Sequence, residues 1–313
     1  MFVKNAVFTA IKPFGGYMRI VTRPDFDGLV CAILLFEAEN ITEPVKWVEP
    51  HEIQKKLAEI KDGDIMANLP YDERCSMWFD HHYSNMIDKT FKGSFRIAPS
   101  AAGVVFAYYK GRFKRDYTEL VRETDKIDSA ELSMEEASCP EKYPYILLSM
   151  TVSNRNMAYE QYLNRLILLL KKHDITDVMK DPEVRERCAA VVEENKIYKS
   201  VLTENTILKG QVSITDLRSF DKAPEGNRFL VYSLYPEAVV SVRIKYDDAS
   251  KEKTAVSIGH SIFNRKCNVN VGSMLAKFDG GGHRSAGACR FPSSKADEYI
   301  PEIISILLEN RSE

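Results

Sequence analysis

Two short clusters of metal-type ligands lie far apart in this chain of 313 residues. One is Arg23-Pro24-Asp25-Phe26-Asp27-Gly28, the other Phe79-Asp80-His81-His82. Each follows a short apolar run, Met18-Arg19-Ile20-Val21 and Met77-Trp78-Phe79, of the kind that forms a buried parallel strand. Two such strand ends predict one site at the carboxyl edge of an open α/β sheet, where that architecture places its chemistry. Asp25 and Asp27, two apart, would project to one side of an extended backbone and converge on one cation or on two neighbours. Gly28 lets the chain turn into a helix whose first amides favour anions, and the plainer reading of Asp27 is the N-cap of that helix. Consecutive imidazoles diverge at a strand end, so one of His81 and His82 can bind metal while the other faces substrate. Asp80 can hold an imidazole in the right tautomer. Asp128 offers another carboxylate, with Asp125 in reserve, if the helix before them ends there. Oxygen donors with one imidazole and no thiolate suit Mn²⁺ or Mg²⁺ better than zinc or copper. Two such ions about 3.5 to 4 Å apart would activate a water and neutralise a phosphoryl group.

The elements needed to carry these residues can be read from the pattern. From residue 18 to about 150, strand-like runs (Ile20-Val21-Thr22, Val45 to Val48, Ile65 to Leu69, Met77 to Phe79) alternate with helical ones (Leu29 to Ala38, His51 to Ile60, and one opened by Ser100-Ala101-Ala102-Gly103). That alternation predicts a parallel sheet covered on both faces. Residues 151–208 read as a helical connector, with Leu163, Leu166, Ile167 and Leu170 at helical spacing. Residues 209–313 read as a smaller mixed α/β domain. Its predicted strands are Val212-Ser213-Ile214, Phe229 to Tyr232, Val239 to Ile244 and Ala255 to Ile258, and its helices Val271 to Phe278 and Ala296 to Leu308. Residues 1–17 read as an N-terminal extension, with Met18 as an alternative start. The fold class expected is therefore α/β: an N-terminal parallel-sheet domain, a helical connector and a smaller mixed α/β domain.

Bulk composition narrows the classes. A formal net charge of −2 carries no signature of a duplex-DNA binder. The six cysteines, at positions 31, 75, 139, 188, 267 and 289, form no CxxC pair and no zinc spacing. That usage fits a reducing cytoplasm, and no apolar run reaches the ~18 residues of a membrane span.

A third anchor lies downstream, Gly280-Gly281-Gly282-His283. Consecutive glycines permit a backbone path closed to other residues, with amides able to approach an anion. The alternative is a tight turn between the helix ending near Phe278 and the strand Ala288 to Phe291. Arg265, in Asn264-Arg265-Lys266-Cys267, is a nearby basic donor.

Asp25-Phe26-Asp27-Gly28, Asp80-His81-His82 and Gly280-Gly281-Gly282-His283, in that order, resemble the DHH phosphoesterase superfamily with its associated C-terminal domain, over nearly the whole chain from Met18. The resemblance implies manganese or magnesium, one or two ions, on Asp25, Asp27, His81 and Asp128, with His82 at the reacting phosphate. Beside these, the residues themselves offer catalytic support from Asp80, which can orient an imidazole, and from Arg23, which can stabilise developing charge. The resemblance also points to Arg243 as a substrate contact, and with it Asn68, Arg265, Gly280, Gly281, Gly282 and His283 are expected to bind substrate. Two positions depart from the family pattern. Arg23 precedes the Asp-x-Asp pair where many members have an acid or a histidine, and Asn68 stands where members carry a metal-bridging aspartate. An arginine cannot bind a cation and asparagine offers only a neutral oxygen. A single-metal enzyme follows from this, or one in which Arg23 clamps phosphate bidentately. The implied activity is hydrolysis of short oligonucleotides or nucleotide phosphates. Polyphosphate hydrolysis is the alternative, and a non-catalytic nucleotide or phosphate sensor the second alternative. The sequence leaves the oligomeric state open, a homodimer included.

Overall fold

The computed structural model describes residues 18–152 and 157–311; the extension expected over 1–17 lies outside them. The contacts divide the chain into two compact units, one built from the residues up to Glu131 with Pro144–Arg185, the other from Leu132–Tyr143 with Glu186–Glu313. The stretch 151–208 is thus shared between them.

In the first unit the chain runs β1 (Arg19–Thr22), α1 (Phe26–Ala38), β2 (Lys46–Trp47), α2 (Pro50–Gln54), β3 (Asp64–Ala67), β4 (Met77–Asp80), β5 (Gly93–Phe95), α3 (Ala101–Tyr108) and α4 (Thr118–Asp128). The strands pair in the order β2-β1-β3-β4-β5, all parallel. After β1 the chain goes first to one side, to β2, and then to the other, to β3. The sheet therefore reverses its winding between β1 and β3, the switch point outside whose carboxyl ends α/β proteins bind ligands. Residues 23–28, 68 and 80–82 all lie there, directly after β1, β3 and β4.

Helix α1 is apolar on every side, and Leu29 through Leu35 are 0% exposed. A helix of that kind needs cover all round, which the sheet, α3, α4 and a later helix provide. Val21, Val48, Met66 and Trp78 fill the opposite face of the sheet, with Ile53 and Ile60. Helix α2 is shorter than the predicted span to Ile60, because Lys56 takes a left-handed φ of 55° and ends the helical path. Four helices follow: α5 (Met134–Ser138), α6 (Pro144–Thr151), α7 (Met157–Lys172) and α8 (Ile175–Val178).

After the long α9 (Pro182–Asn205), the second unit adds β6 (Thr206–Lys209), β7 (Val212–Asp216), α10 (Leu230–Leu234), β8 (Val240–Tyr246), β9 (Lys253–His260), α11 (Val271–Ala276), β10 (Gly280–Gly282), β11 (Ala286–Pro292) and α12 (Ala296–Glu309). Its mixed sheet has the order β10-β11-β9-β8-β7-β6. Val212, Val240, Val242, Ile244, Val256, Ile258 and Phe291 cover one face and pack against Met274, Leu275, Ile303 and Leu307 of α11 and α12. The run Phe229 to Tyr232, expected as a strand, is helical instead. Leu230, Val231 and Tyr232 pack on Tyr198 and Leu202 of α9, and the Tyr232 hydroxyl bonds Ser241 Oγ at 2.9 Å and the Gly259 carbonyl at 2.7 Å. Tertiary packing overrides the β propensity of that short run.

Candidate metal centre

The pair Asp25 and Asp27 is not held on extended backbone as expected. Asp25 is extended but Phe26 already opens α1, so the two carboxylates leave the chain in different directions. Asp25, rather than Asp27, is the N-cap: its Oδ1 accepts the Gly28 amide at 2.8 Å. The turn is tight enough that a Cβ on Gly28 would lie 2.1 Å from the Arg23 carbonyl oxygen, so only glycine fits. Asp27, 2% exposed, turns inward under α3, and its two oxygens accept the amides of Ala101 at 2.9 Å and Ala102 at 2.8 Å. Those amides are the free donors of a helix start, where an anion is favoured. The start is set locally by Ser100, whose hydroxyl accepts the Gly103 amide.

His81 and His82 divide the work of the double imidazole. His81 donates Nδ1–H to the Ala98 carbonyl at 2.9 Å, which leaves Nε2 as the lone-pair nitrogen. That atom is buried and has no hydrogen-bond partner among the described residues. It lies 3.8 Å from Asp27 Oδ2 and 3.4 Å from Asp128 Oδ2. Asp128 is the last residue of α4, while Asp125, one turn earlier, accepts the Ser100 hydroxyl. His82, its ring 4.1 Å from that of His81, bonds through Nδ1 to Asp80 Oδ1 at 2.8 Å. Asp80 is wholly buried and its Oδ2 takes the Asn85 amide at 2.7 Å. The aspartate thus orients His82, not His81. Burial works against a charge on His82, but the hydrogen bond and charge of Asp80, with that of Asp128, prevail and its pKa is raised.

The carboxylates are electrostatically crowded. Burial, then the charges of Asp128 and Asp25, lift Asp27 well above the ordinary carboxylate range. Burial lifts Asp25 to about 6 against the opposing pull of Arg23. An orphaned imidazole nitrogen facing two carboxylates in so crowded a field is the arrangement a divalent cation relieves, and all three ligand atoms lie within 4.8 Å of one another. The donors Asp27, His81 and Asp128 fit such an ion.

Asp25 stands apart from that trio. Its Oδ1 also accepts Asn68 Nδ2 at 3.0 Å, and its Oδ2 is 3.2 Å from Arg23 Nε. Arg23 in turn reaches Glu49 at 3.7 Å. Asn68 follows β3 with a left-handed φ of 56°, which asparagine tolerates, and its Oδ1 is buried without a partner.

In the second unit, Gly280–Gly282 is neither a free loop nor a simple turn but the edge strand β10, paired with β11. The glycines are needed for close approach: a Cβ on Gly280 would lie 2.4 Å from that of Cys289, and Gly282 has a φ of 150°. His283 and Arg284 follow in an exposed hairpin turn whose carbonyls accept the first amides of α11. Arg265 is exposed and its Nε bonds the Ile262 carbonyl at 3.0 Å, in the loop at the same end of the sheet as that hairpin. Arg243 is half-buried on the face of the sheet opposite the core. Register places Arg243, Ser257, Ala288 and Gly281 in one row across four strands.

No family model and no curated protein matches the chain. Among solved structures it is similar to PggH, a pGpG-specific phosphodiesterase from Vibrio cholerae. The two are 30% identical over 94% of this chain and 100% of that one, with a TM-score of 0.82. The chain belongs to the DHH phosphoesterase superfamily. Two RecJ structures share the DHH fold. One is RecJ from Thermus thermophilus in complex with Mn²⁺, with 12% identity over 93% of this chain and 52% of that one and a TM-score of 0.52. The other is exonuclease RecJ bound to manganese, with 13% identity over 92% and 90% and a TM-score of 0.50.

Several participants in this DHH site escape a reading of the sequence. The Ala98 carbonyl that sets the His81 tautomer is backbone and has no signature. Asn85 and Glu49 are ordinary surface-type residues, and only their bonds to Asp80 and Arg23 single them out. The alanine amides beneath Asp27 were visible in part, because Ser100-Ala101-Ala102-Gly103 read as the opening of a helix. No helix among the described residues is long and apolar enough to cross a membrane.

Proposed function

We propose that this DHH phosphoesterase is a divalent-metal-dependent phosphodiesterase of short linear oligonucleotides, with a 5′-phosphorylated guanine dinucleotide of the pGpG type as its first substrate. The observation that carries the reading is His81 Nε2, a buried lone pair without a partner, facing Asp27 and Asp128. The choice of substrate is supported by the identity with PggH along both chains.

Asp27, His81 and Asp128 would hold the cation, and Mn²⁺ or Mg²⁺ suits that donor set. When bound, it supplies a water of lowered pKa and a positive charge beside the phosphate. The chain's own residues do the rest. The amides of Ala101 and Ala102 fix the Asp27 carboxylate, and the Ala98 carbonyl keeps the proton of His81 on Nδ1 so that Nε2 stays a donor. His82, with its raised pKa and its Nδ1 proton held by Asp80, presents a partly exposed imidazole suited to the negative charge that grows on phosphate oxygens. Hydrolysis adds one water across a P–O bond and leaves a hydroxyl and a phosphate monoester.

The second unit, the counterpart of a DHH-associated domain, is the proposed holder of the nucleotide. Arg243 has no side-chain partner among the described residues, and Ser257 and Ala288 make a low floor from it to Gly281. At ~4.8 Å per strand that row spans about 14 Å, the scale of one nucleotide. The exposed His283, Arg284 and Arg265 gather at one end of the same sheet. The test is turnover of pGpG with Mn²⁺, followed by chromatography, beside longer oligonucleotides, a cyclic dinucleotide and polyphosphate. Conversion of pGpG that stops on chelation is the expected result. Binding of Mn²⁺ with no cleavage of any linear oligonucleotide would overturn the reading, and preference for polyphosphate would replace it.

A further inference from the structure

The two departures at this site, Arg23 and Asn68, meet on the same carboxylate. Asp25 Oδ1 receives two donors, the Gly28 amide at 2.8 Å and Asn68 Nδ2 at 3.0 Å, which occupy both of its lone pairs. Its Oδ2 faces the Arg23 guanidinium at 3.2 Å. Asp80 is likewise committed: its Oδ1 takes His82 Nδ1 at 2.8 Å and the His82 backbone amide at 3.5 Å, and its Oδ2 takes Asn85 Nδ2 at 2.7 Å, so the other group of ligand-type side chains, Asp80 with His81 and His82, is already tied by hydrogen bonds. Asp27 differs at Oδ2, which takes the Ala101 amide alone among the described residues and faces His81 Nε2, so it keeps a lone pair for a cation, while Oδ1 takes the Ala102 amide and the Cys31 thiol at 3.9 Å. The carboxylates around the switch point therefore supply anionic ligands for one ion. Beside Asp25 the chain has instead placed a positive charge, the Arg23 guanidinium.

We infer that this centre is mononuclear, with one divalent cation on Asp27, His81 and Asp128 and with Arg23, braced by Asp25 and Glu49, standing as a fixed cation in place of a second ion. The inference rests on the metal-dependent reading above and deepens it. Arg23 is well formed for the part. It approaches both acids most closely through Nε, and its Nη groups make no hydrogen bond among the described residues. Its side chain is 40% exposed, so that fork is open to a phosphate group. The Asn68 amide holds Asp25 toward Arg23 with a donor that an aspartate at this position would lack. A guanidinium cannot dissociate as an ion does, so the second positive charge is present at every metal concentration.

The experiment counts Mn²⁺ on the purified full chain by equilibrium dialysis, and records its electron paramagnetic resonance spectrum, with no substrate present. One equivalent with a spectrum of isolated ions is expected, falling to none in His81→Ala. The double variant Arg23→Ala/Asn68→Asp, in which aspartate keeps the left-handed backbone of Asn68 accessible, should take up a second equivalent and show exchange coupling between the ions. Two tight equivalents in the unmodified chain would overturn the inference while leaving the proposed phosphodiesterase intact. A double variant that folds and still binds one ion would overturn the part assigned to Arg23 and Asn68. No binding at all, with no hydrolysis, would instead refute the metal-dependent function.

Discussion

Replacing His81 by alanine separates the metal centre from the fold. In the metal-free protein the imidazole makes one hydrogen bond, from Nδ1 to the Ala98 carbonyl at 2.9 Å. Its loss costs about 0.5–1.5 kcal/mol, an amount a unit of this size survives. Toward a cation the same change removes the nitrogen donor from the trio of Asp27, His81 and Asp128. A ligand at one hundred times its Kd stabilises the native state by about 2.7 kcal/mol. At ~2–4 °C per kcal/mol for a unit of this size, wild-type Tm should rise by about 5–10 °C with Mn²⁺. The variant should melt a few degrees lower without metal and show no rise with it, and it should hydrolyse nothing. Paired thermal melts with Mn²⁺ and with chelator check this directly. A variant that kept the full metal-dependent rise would refute the site, because the orphaned Nε2 would then have no part in binding.

Other outcomes follow from the same geometry. Asp25 is raised to about 6 and Asp27 is raised as well, against ~3.9 in an unfolded chain. The native metal-free protein thus holds protons more tightly than the unfolded one and should lose stability as pH rises from about 4 through 6. The Mn²⁺-dependent gain should grow with pH as the raised Asp27 gives up its proton, and denaturant melts at several pH values with and without Mn²⁺ test both slopes. Asp80→Asn keeps an acceptor for His82 but removes the charge that raises its pKa. We expect kcat to fall about 10- to 100-fold with KM nearly unchanged, and the His82 resonance to titrate at lower pH. Gly28→Ala would set a Cβ 2.1 Å from the Arg23 carbonyl. The start of α1 must then shift, at a cost of about 1–3 kcal/mol or more, read as a lowered Cm in urea.

Much of the architecture was legible because it is written in local periodicity. Short apolar runs ending at Thr22, Ala67 and Asp80 read as buried parallel strands from their length and composition and from the helical segments on either side of the set. Ser100-Ala101-Ala102-Gly103 read as a helix opening, and the structure shows why: the Ser100 side chain caps the Gly103 amide. Phe229 to Tyr232 misled because four apolar and aromatic residues fit either a strand or a helical turn, and only the face offered by α9 decides between them. The glycine run misled for a related reason: freedom of backbone says that a close approach will occur, not against what, and here it is the neighbouring strand β11.

The amino-acid sequence by itself determined the inventory of this DHH protein: the ligand types, their places at strand ends, and the presence of an arginine and an asparagine among the acids. Tertiary structure alone decided how that inventory is shared out. Asp25 went to Arg23 and to Asn68, 43 positions away, while Asp27 went to helix amides 74 and 75 positions away. His81 was turned toward the carboxylates by a carbonyl 17 residues on, and His82 was claimed by Asp80. Strand and helix are set by contacts within a turn or two, but the choice of partner for a charged side chain is a competition in three dimensions. Its outcome follows from which donors the sheet and its covering helices bring within about 3 Å.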